Sequence, residues 1–224
     1  ARFPPDPQPA SELLEAAQTA RMGIPATGEQ VAIFTPEARA AALRKLAVES
    51  GLRHAAERGE LSLSYQLQAD LTTGEIAGAQ VIMNWTSQAL GSVPGHEFVP
   101  IAMQTGLIVM LGDWKREAVC QQLRAWEQVG VRVPRLSMRI SQLELQQPDM
   151  VEKLRQNLLA NSLQAQALGI EISEQALFNA SPELVKTLNQ LRGLGLEISL
   201  GDFGAGATNL GLLRTLPVDV IKVH

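Results

Sequence analysis

The residue best placed to do chemistry in this sequence is an aspartate in a glycine-rich turn. Asp202 lies in the run GDFGAG at 201–206, whose three glycines let the backbone adopt left-handed conformations and approach a ligand closely. The run follows Leu196–Leu200, where apolar and polar residues alternate as in a strand. Because α/β barrels place catalytic carboxylates where strands end, the pattern is typical of an active-site loop. The alternative is a tight turn in which Asp202 caps a helix beginning near Ala207–Leu213.

Composition and charge exclude several classes of protein. A formal net charge of −4 argues against binding to nucleic acid polymers, and no apolar run approaches the roughly 18 residues of a membrane span. Cys120 is the one cysteine, so we expect no disulfide, no cysteine-bound metal and a reducing, cytoplasmic location. We see no signal peptide and expect no membrane contact by this segment, while an anchor elsewhere in a full-length protein stays open. The DFG tripeptide at 202–204 does not indicate a protein kinase, because no HRD loop precedes it.

Residues 1–60 differ in pattern from the rest and are expected to form a separate piece. Ser11 caps a predicted short helix, and Gln30–Phe34 has the pattern of a strand. A charged helix with Pro36 in its first turn is predicted to run to about Glu60. Because so small a unit cannot bury a core of its own, we expect the tail of a preceding domain and a connecting helix.

From Leu61 onward, predicted strands alternate with amphipathic helices. Strands are expected at Leu61–Leu67, Ile76–Trp85, Leu136–Ser141, Leu168–Ser173, Leu196–Leu200 and Val218–Val223. Helices are expected at about Leu107–Val129, Gln142–Ala160 and Pro182–Leu194. A βα repeat of about 30 residues predicts a parallel sheet, and a barrel if the sheet closes. Because the outer two strands would lack neighbours, we expect the barrel to be completed beyond His224 or by a second chain.

Several short runs in this region resemble the motifs of one known family. They are LSYQ at 63–66, GAQVIMNW at 78–85, EFVPIA at 97–102, TGLI at 105–108, LSMRIS at 136–141, IEISE at 170–174, GDFGAG at 201–206 and LPVDVIKVH at 216–224. Residues 61–224 therefore resemble the EAL domain family, the bacterial cyclic di-GMP phosphodiesterases and their inactive relatives. Residues 1–60 resemble the end of a GGDEF domain and its connecting helix. The resemblance implies a TIM-like (β/α) barrel, here with about six strands, and a neighbouring GGDEF-like domain as a partner.

The resemblance also implies a metal site, and this sequence departs from it. Active members of the family hold two divalent cations, Mg²⁺ or Mn²⁺, on oxygen ligands, and the metals activate a water for attack on a phosphodiester. The corresponding positions are here Gln80, Arg139, Glu171, Gly201 and Asp202. Of these, Gln80, Arg139 and Gly201 are degenerate, since a glycine offers no ligand and a guanidinium repels cations. We therefore expect no bound Mg²⁺ or Mn²⁺ and no catalytic residue.

A vestigial ligand-binding set remains as a hypothesis. Its members are Gln66, Asn84, Arg139, Glu171, Asp202 and Lys222. They either pair with one another as buried remnants, or Arg139 and Lys222 replace the charge of the metals and the site binds cyclic di-GMP without cleaving it. The sequence favours a catalytically inactive regulatory domain that acts through contacts with a protein partner, a neighbouring domain or a second copy. A non-hydrolysing cyclic di-GMP receptor is the alternative, and an active phosphodiesterase is a distant third.

Arg139 carries the sharpest geometric prediction. If Ser137, Arg139 and Ser141 face the interior of the barrel, Met138 and Ile140 pack outward against helices. The guanidinium would then lie near the strand ends that carry the carboxylates, and we predict an ion pair with one of them in the space of the lost metals. If that cluster is buried, Arg139→Ala is expected to destabilise the fold by about 3–5 kcal/mol.

Overall fold

The order of the strands brings the carboxyl ends of the parallel strands to one edge of a single sheet. The computed structural model describes residues 35–177, 181–204 and 216–224. Within them the strands are β1 (Leu61–Ala69), β2 (Ile76–Ser87), β3 (Gly91–Val93), β4 (Leu136–Arg139), β5 (Leu168–Ser173), β6 (Glu197–Phe203) and β7 (Val220–Val223). Their order is β1-β2-β4-β5-β6-β7, with β3 also paired to β2. The pairs β1–β2 and β2–β3 are antiparallel, whereas β2–β4, β4–β5, β5–β6 and β6–β7 are parallel. This mostly parallel α/β sheet confirms the predicted fold class, and the sheet is not closed.

Helices connect the strands and cover the outer face of the sheet. They are α1 (Pro36–Leu52), α2 (Gly95–Thr105), α3 (Leu107–Gln128), α4 (Gln142–Leu145), α5 (Met150–Ala160), α6 (Glu174–Leu177) and α7 (Pro182–Gly193). Hydroxyl groups of Thr35, Ser141 and Ser181 cap α1, α4 and α7 by accepting a backbone N–H from the first turn. Among the residues that the structure describes, no helix is both long and apolar enough to cross a bilayer.

Two apolar cores hold the sheet to its helices. The larger core joins the parallel strands to α3, α5 and α7, and Met138, Ile170 and Ile198 lie at its centre without solvent exposure. The smaller core lies at the base of the β1–β2 hairpin, where the rings of Trp85 and Phe98 meet edge to face with centroids 5.8 Å apart. Buried or half-buried residues alternate with exposed ones along most of β1, whereas β5 is buried at every residue except its last.

Helix α1 is shorter than predicted, because the residues that follow it bind to strand β2 of the β1–β2 hairpin. The helix ends at Leu52 and not near Glu60. The chain then turns, with Gly59 at φ 65°, and the buried carboxylate of Glu60 accepts the indole N–H of Trp85 at 2.9 Å. The backbone carbonyl of Glu60 also accepts the N–H of Thr86. These contacts fix the chain against β2 and are incompatible with a continuing helix.

Two further predicted boundaries are wrong, each for a local reason. The predicted helix Gln142–Ala160 is divided into α4 and α5, because Pro148 lies between them and cannot continue a helix. Strand β4 ends at Arg139, two residues early, because Ser141 leaves the sheet to cap α4. Helix α2 was not predicted, because Pro100 lies inside it and helix interiors disfavour proline. The three-residue strand β3 was not predicted either.

Some predictions lie outside the described residues. These are the helix capped by Ser11, the strand Gln30–Phe34 and the helix expected near Ala207–Leu213. The division of the chain at residue 60 also stays a prediction.

Candidate functional site

The site is built at the end of β4, where alternate side chains face opposite sides of the sheet. Met138 and Ile140 are buried in the core that the helices cover. Arg139 points to the opposite face, and 52% of its side chain is exposed. The predicted alternation on this strand is therefore confirmed for these three residues.

The guanidinium of Arg139 joins two carboxylates from neighbouring strands. Its Nε and Nη2 donate to Oε1 of Glu171 on β5 at 3.1 and 2.8 Å. Its Nη2 also lies 3.1 Å from Oδ2 of Asp202 on β6. Parallel pairing places Arg139, the last residue of β4, directly beside Glu171 on β5. The predicted ion pair is present, and it engages both candidate carboxylates.

Lys222 completes this group of charges from the far side. Its Nζ lies 2.5 Å from Oε2 of Glu171, so each oxygen of that carboxylate has its own cation. Burial alone would raise the pKa of Glu171, but hydrogen bonds from Lys222 and Arg139 outweigh it and leave the pKa below its ordinary value. We call Arg139, Glu171, Asp202 and Lys222 the Arg139 cluster. Two acids and two bases make it formally neutral.

Asp202 reaches Arg139 because β6 is irregular at that point. The predicted turn at Gly201 is wrong in its start, since Gly201, Asp202 and Phe203 still belong to the strand. The pairing of β6 with β7 shifts register between Leu200 and Phe203, and Asp202 has a left-handed φ of 57°. Such a bulge redirects a side chain at the rim of a sheet. A non-glycine residue at positive φ is uncommon, and here it places the carboxylate over the neighbouring strand.

Gly201 is needed for space, and no side chain could replace it without rearrangement. A Cβ atom at this position would lie 2.6 Å from Oε1 of Glu171 and 2.9 Å from its Cδ. The side chain of Glu171 therefore fills the volume that an aspartate at residue 201 would need. This contact was not expected from the sequence.

Three other predicted residues lie apart from the cluster. Gln66 and Gln80 face each other across the β1–β2 hairpin, and Gln80 is in register with Ser137, two residues short of Arg139. Asn84 donates to the hydroxyl of Ser64 at 2.9 Å. Across the described residues, no hydrogen bond links Gln66, Gln80 or Asn84 to the Arg139 cluster. The assignment of Gln66 and Asn84 as ligand-binding residues stays a prediction, and so does that of Gln80 as a degenerate metal position.

The donor set does not fit a pair of divalent cations. A metal site needs converging oxygen atoms, whereas here a guanidinium lies between the carboxylates of Glu171 and Asp202. Gly201 supplies no donor, and both oxygens of Glu171 are already engaged. In the described part of the chain, no three His, Cys, Asp or Glu side chains are arranged to hold a metal.

Sequence reasoning missed several charged residues around the cluster. The buried carboxylate of Glu174 accepts the backbone N–H of Gly204 at 2.9 Å and so holds the turn after β6. Lys115 and Arg116 on α3 are buried beside Glu144, and Lys115 reaches the carbonyl of Arg139. The sequence feature that could have indicated Lys115 and Arg116 is that two adjacent basic residues lie next to the apolar stripe of a long helix.

The sequence profile of the EAL domain matches residues 49–224. The chain belongs to the EAL domain family. It is 30% identical over 224 residues to the bifunctional diguanylate cyclase/cyclic di-GMP phosphodiesterase MucR of Pseudomonas aeruginosa, covering all of this chain and 33% of that protein. It is also 30% identical over 222 residues to the cyclic di-GMP phosphodiesterase NbdA of the same species, covering 99% of this chain and 28% of NbdA.

Solved structures show the same fold. The MucR phosphodiesterase in complex with c-di-GMP superposes with a TM-score of 0.74 at 30% identity, covering 79% of this chain and 72% of that one. The recognised family and its place in cyclic di-GMP signalling are therefore confirmed. The chain spans about a third or less of the two curated relatives. The GGDEF-like tail and the loss of activity stay proposals.

Proposed function

We propose that this EAL domain is a non-catalytic regulatory domain of cyclic di-GMP signalling, acting through contacts with a protein partner or a neighbouring domain. The observation that carries the proposal is the Arg139 guanidinium between Glu171 and Asp202. It supplies a permanent positive charge where the family's chemistry needs metal ions. The proposal includes the cytoplasm as the location and a GGDEF-like domain as the neighbour.

The chemistry of arginine supports the loss of hydrolysis. A guanidinium has donors only and stays protonated at physiological pH, so it cannot bind a metal or take a proton from water. Burial alone would lower the pKa of Arg139, but the hydrogen bonds and the charges of Glu171 and Asp202 together outweigh burial and raise the pKa. Glu171 is in turn held by two cations and is a poor general base, because its pKa is lowered. Neither Arg139 nor Glu171 is therefore suited to activate a water.

Contacts of helix α1 support a role through neighbouring domains. Most of α1 precedes the matched family region, which begins at residue 49. Arg44 nevertheless donates to both oxygens of Glu97 on α2, at 2.7 and 3.2 Å, and Lys45 donates to Gln104 at 2.7 Å. The helix that enters the domain is thus bound to its surface by directed polar contacts. A movement of α1 would be transmitted to α2.

A non-hydrolysing cyclic di-GMP receptor is the second candidate. It is supported by the exposure of half of the Arg139 side chain, which leaves donors accessible to an anion. The 30% identical MucR structure also contains c-di-GMP. A phosphate would, however, meet a cluster in which Glu171 and Asp202 already offset the positive charges of Arg139 and Lys222. The neutral cluster therefore favours the regulatory function without a ligand.

Two measurements test the proposal. Hydrolysis of cyclic di-GMP is measured with Mg²⁺ and Mn²⁺, on this chain and on any longer form of the protein, with MucR as the positive control. We expect no turnover, and metal-dependent turnover would overturn the proposal. Calorimetry with cyclic di-GMP then separates the two candidates. Saturable binding that Arg139→Ala abolishes would favour the receptor, and absence of binding would favour the regulatory domain.

A further inference from the structure

A buried lysine behind β4 contacts the backbone of the residue that defines the site. Lys115 on α3 is almost fully buried, and its Nζ donates to the carbonyl oxygen of Arg139 at 2.5 Å. The contact approaches Arg139 from the helix side, while its guanidinium points to the opposite face of the sheet. Arg139 is therefore held at its backbone by one cation while its own side chain binds two carboxylates.

Lys115 belongs to a second group of charges, which we call the Glu144 cluster. It consists of Lys115, Arg116, Glu144 and Asp113. Oε1 of Glu144 accepts from Nη1 of Arg116 at 3.1 Å and lies 3.7 Å from Nζ of Lys115, and Arg116 also pairs with Asp113. Gly112 leaves the space for this carboxylate, since a Cβ atom there would lie 2.0 Å from its Oε1.

The same glutamate fixes the corner that follows Arg139. Oε2 of Glu144 accepts from the N–H and the hydroxyl of Ser141 at 2.8 and 2.7 Å, which completes a capping box for α4. One residue earlier, the N–H of Ile140 donates to the carbonyl of Glu171 at 2.9 Å. The carbonyl of Arg139, which is part of the same peptide group as this N–H, accepts from Lys115.

We infer that Lys115 is a positioning residue for Arg139. Its ammonium fixes the peptide between Arg139 and Ile140 and thereby aims the guanidinium at Glu171 and Asp202. The inference deepens the proposed function, because it concerns the same cluster and says what holds it in place. Burying an ammonium is unfavourable and lowers its pKa, so packing alone would be served better by an apolar side chain. What the ammonium provides is a strong, directed donor to one carbonyl.

Arg116 provides a matched control. It lies next to Lys115 on the same helix, is also buried and binds the same oxygen of Glu144. Within the described residues, no hydrogen bond or ion pair joins it to Arg139. Lys115→Met and Arg116→Met should both lower the stability of the fold, since each leaves Glu144 with fewer partners. Only Lys115→Met removes the donor to the Arg139 carbonyl.

The test is the solvent exchange of the Arg139 Nε–Hε proton, followed by NMR without nucleotide or metal. This proton is bonded to Glu171. In Lys115→Met we expect its exchange to become about tenfold faster or more, as when a bond of ordinary strength is loosened. In Arg116→Met and in Lys115→Arg, which keeps a donor, the exchange should stay within about twofold of the parent protein.

Unchanged exchange in Lys115→Met would overturn the inference, and so would an equal acceleration in Arg116→Met. If Lys115→Met does not fold, Lys115→Gln replaces it with the same expected and contrary outcomes, because its amide is shorter than the lysine chain. Because neither nucleotide nor metal is present, the result does not depend on hydrolysis. Turnover of cyclic di-GMP would overturn the proposed function and leave this inference standing.

Discussion

Two buried glutamates near the end of β4, one on α4 and one on β5, have similar ion pairs but are expected to differ in what they contribute to stability and binding. Glu144 and Glu171 are each 1% exposed. Each lies against a glycine that leaves room for its carboxylate, Gly112 or Gly201. Each also lies within ion-pair distance of one arginine and one lysine.

The difference lies in the cations. Those of Glu144 are buried, with side-chain exposures of 2% for Arg116 and 9% for Lys115. Those of Glu171 reach solvent, at 52% for Arg139 and 24% for Lys222. Losing a partner in a buried pair leaves an uncompensated charge, whereas solvent compensates an exposed one. The Glu144 cluster should therefore dominate stability, and the Arg139 cluster should determine what the site can bind.

The largest expected effect is at Glu144. Glu144→Gln leaves Lys115 buried without a counter-charge and Arg116 paired with Asp113 alone, and should lower the free energy of unfolding by about 3–5 kcal/mol. The control is Glu152→Gln, which removes an exposed ion pair with Arg155 and should leave stability almost unchanged. Urea denaturation measures both. Equal losses in the two variants would contradict the contrast between the clusters.

Arg139→Ala should have a smaller effect. Because half of the Arg139 side chain is exposed and Lys222 still pairs with Glu171, we expect a loss of about 1–3 kcal/mol and not the loss of a fully buried cluster. The exposed Arg124→Ala on α3 serves as the control and should change little. A thermal melt of Arg139→Ala within a degree of the parent would show that the ion pair carries no stability.

Gly201→Ala tests the crowding around Glu171. Its Cβ would overlap the carboxylate, so we expect a loss of about 1–3 kcal/mol from displacement of a well-packed group. Gly193→Ala is the matched control, because no neighbouring atom lies within 4 Å of a Cβ built there. A neutral Gly201→Ala variant would mean that Glu171 moves freely. An aspartate at residue 201, which the family pattern would require, meets the same obstacle.

The smallest effect is in the pH dependence of stability. The pKa of Glu171 is lowered from an ordinary value of 4.5, since the bonds from Lys222 and Arg139 outweigh its burial. Its contribution to stability is therefore complete above about pH 4.5 and is lost as pH falls through the lower pKa of the folded state. Between pH 6 and pH 3, Glu171→Gln should lose less stability than the parent. An identical slope in both proteins would contradict the assignment.

The sequence predicted more of the Arg139 cluster than of its surroundings, for physical reasons. Strand alternation placed Arg139 opposite Met138, and parallel pairing made contact with Glu171 the expected outcome. The bulge at Asp202 could not be predicted, because it depends on the register between β6 and β7. The role of Lys115 was also hidden, since its partner is a backbone carbonyl, which leaves no trace in side-chain patterns. Both misses arise from tertiary pairing.

The measurement that tests the central claim most directly is Mn²⁺ binding followed by electron paramagnetic resonance. If Arg139 occupies the place of the metals, titration of the chain with Mn²⁺ should leave the signal of free Mn²⁺ undiminished at stoichiometric concentrations, with or without cyclic di-GMP. Uptake of one or two equivalents that disappears in Glu171→Gln would contradict the account, because it would show that the carboxylates release Arg139 in favour of a metal.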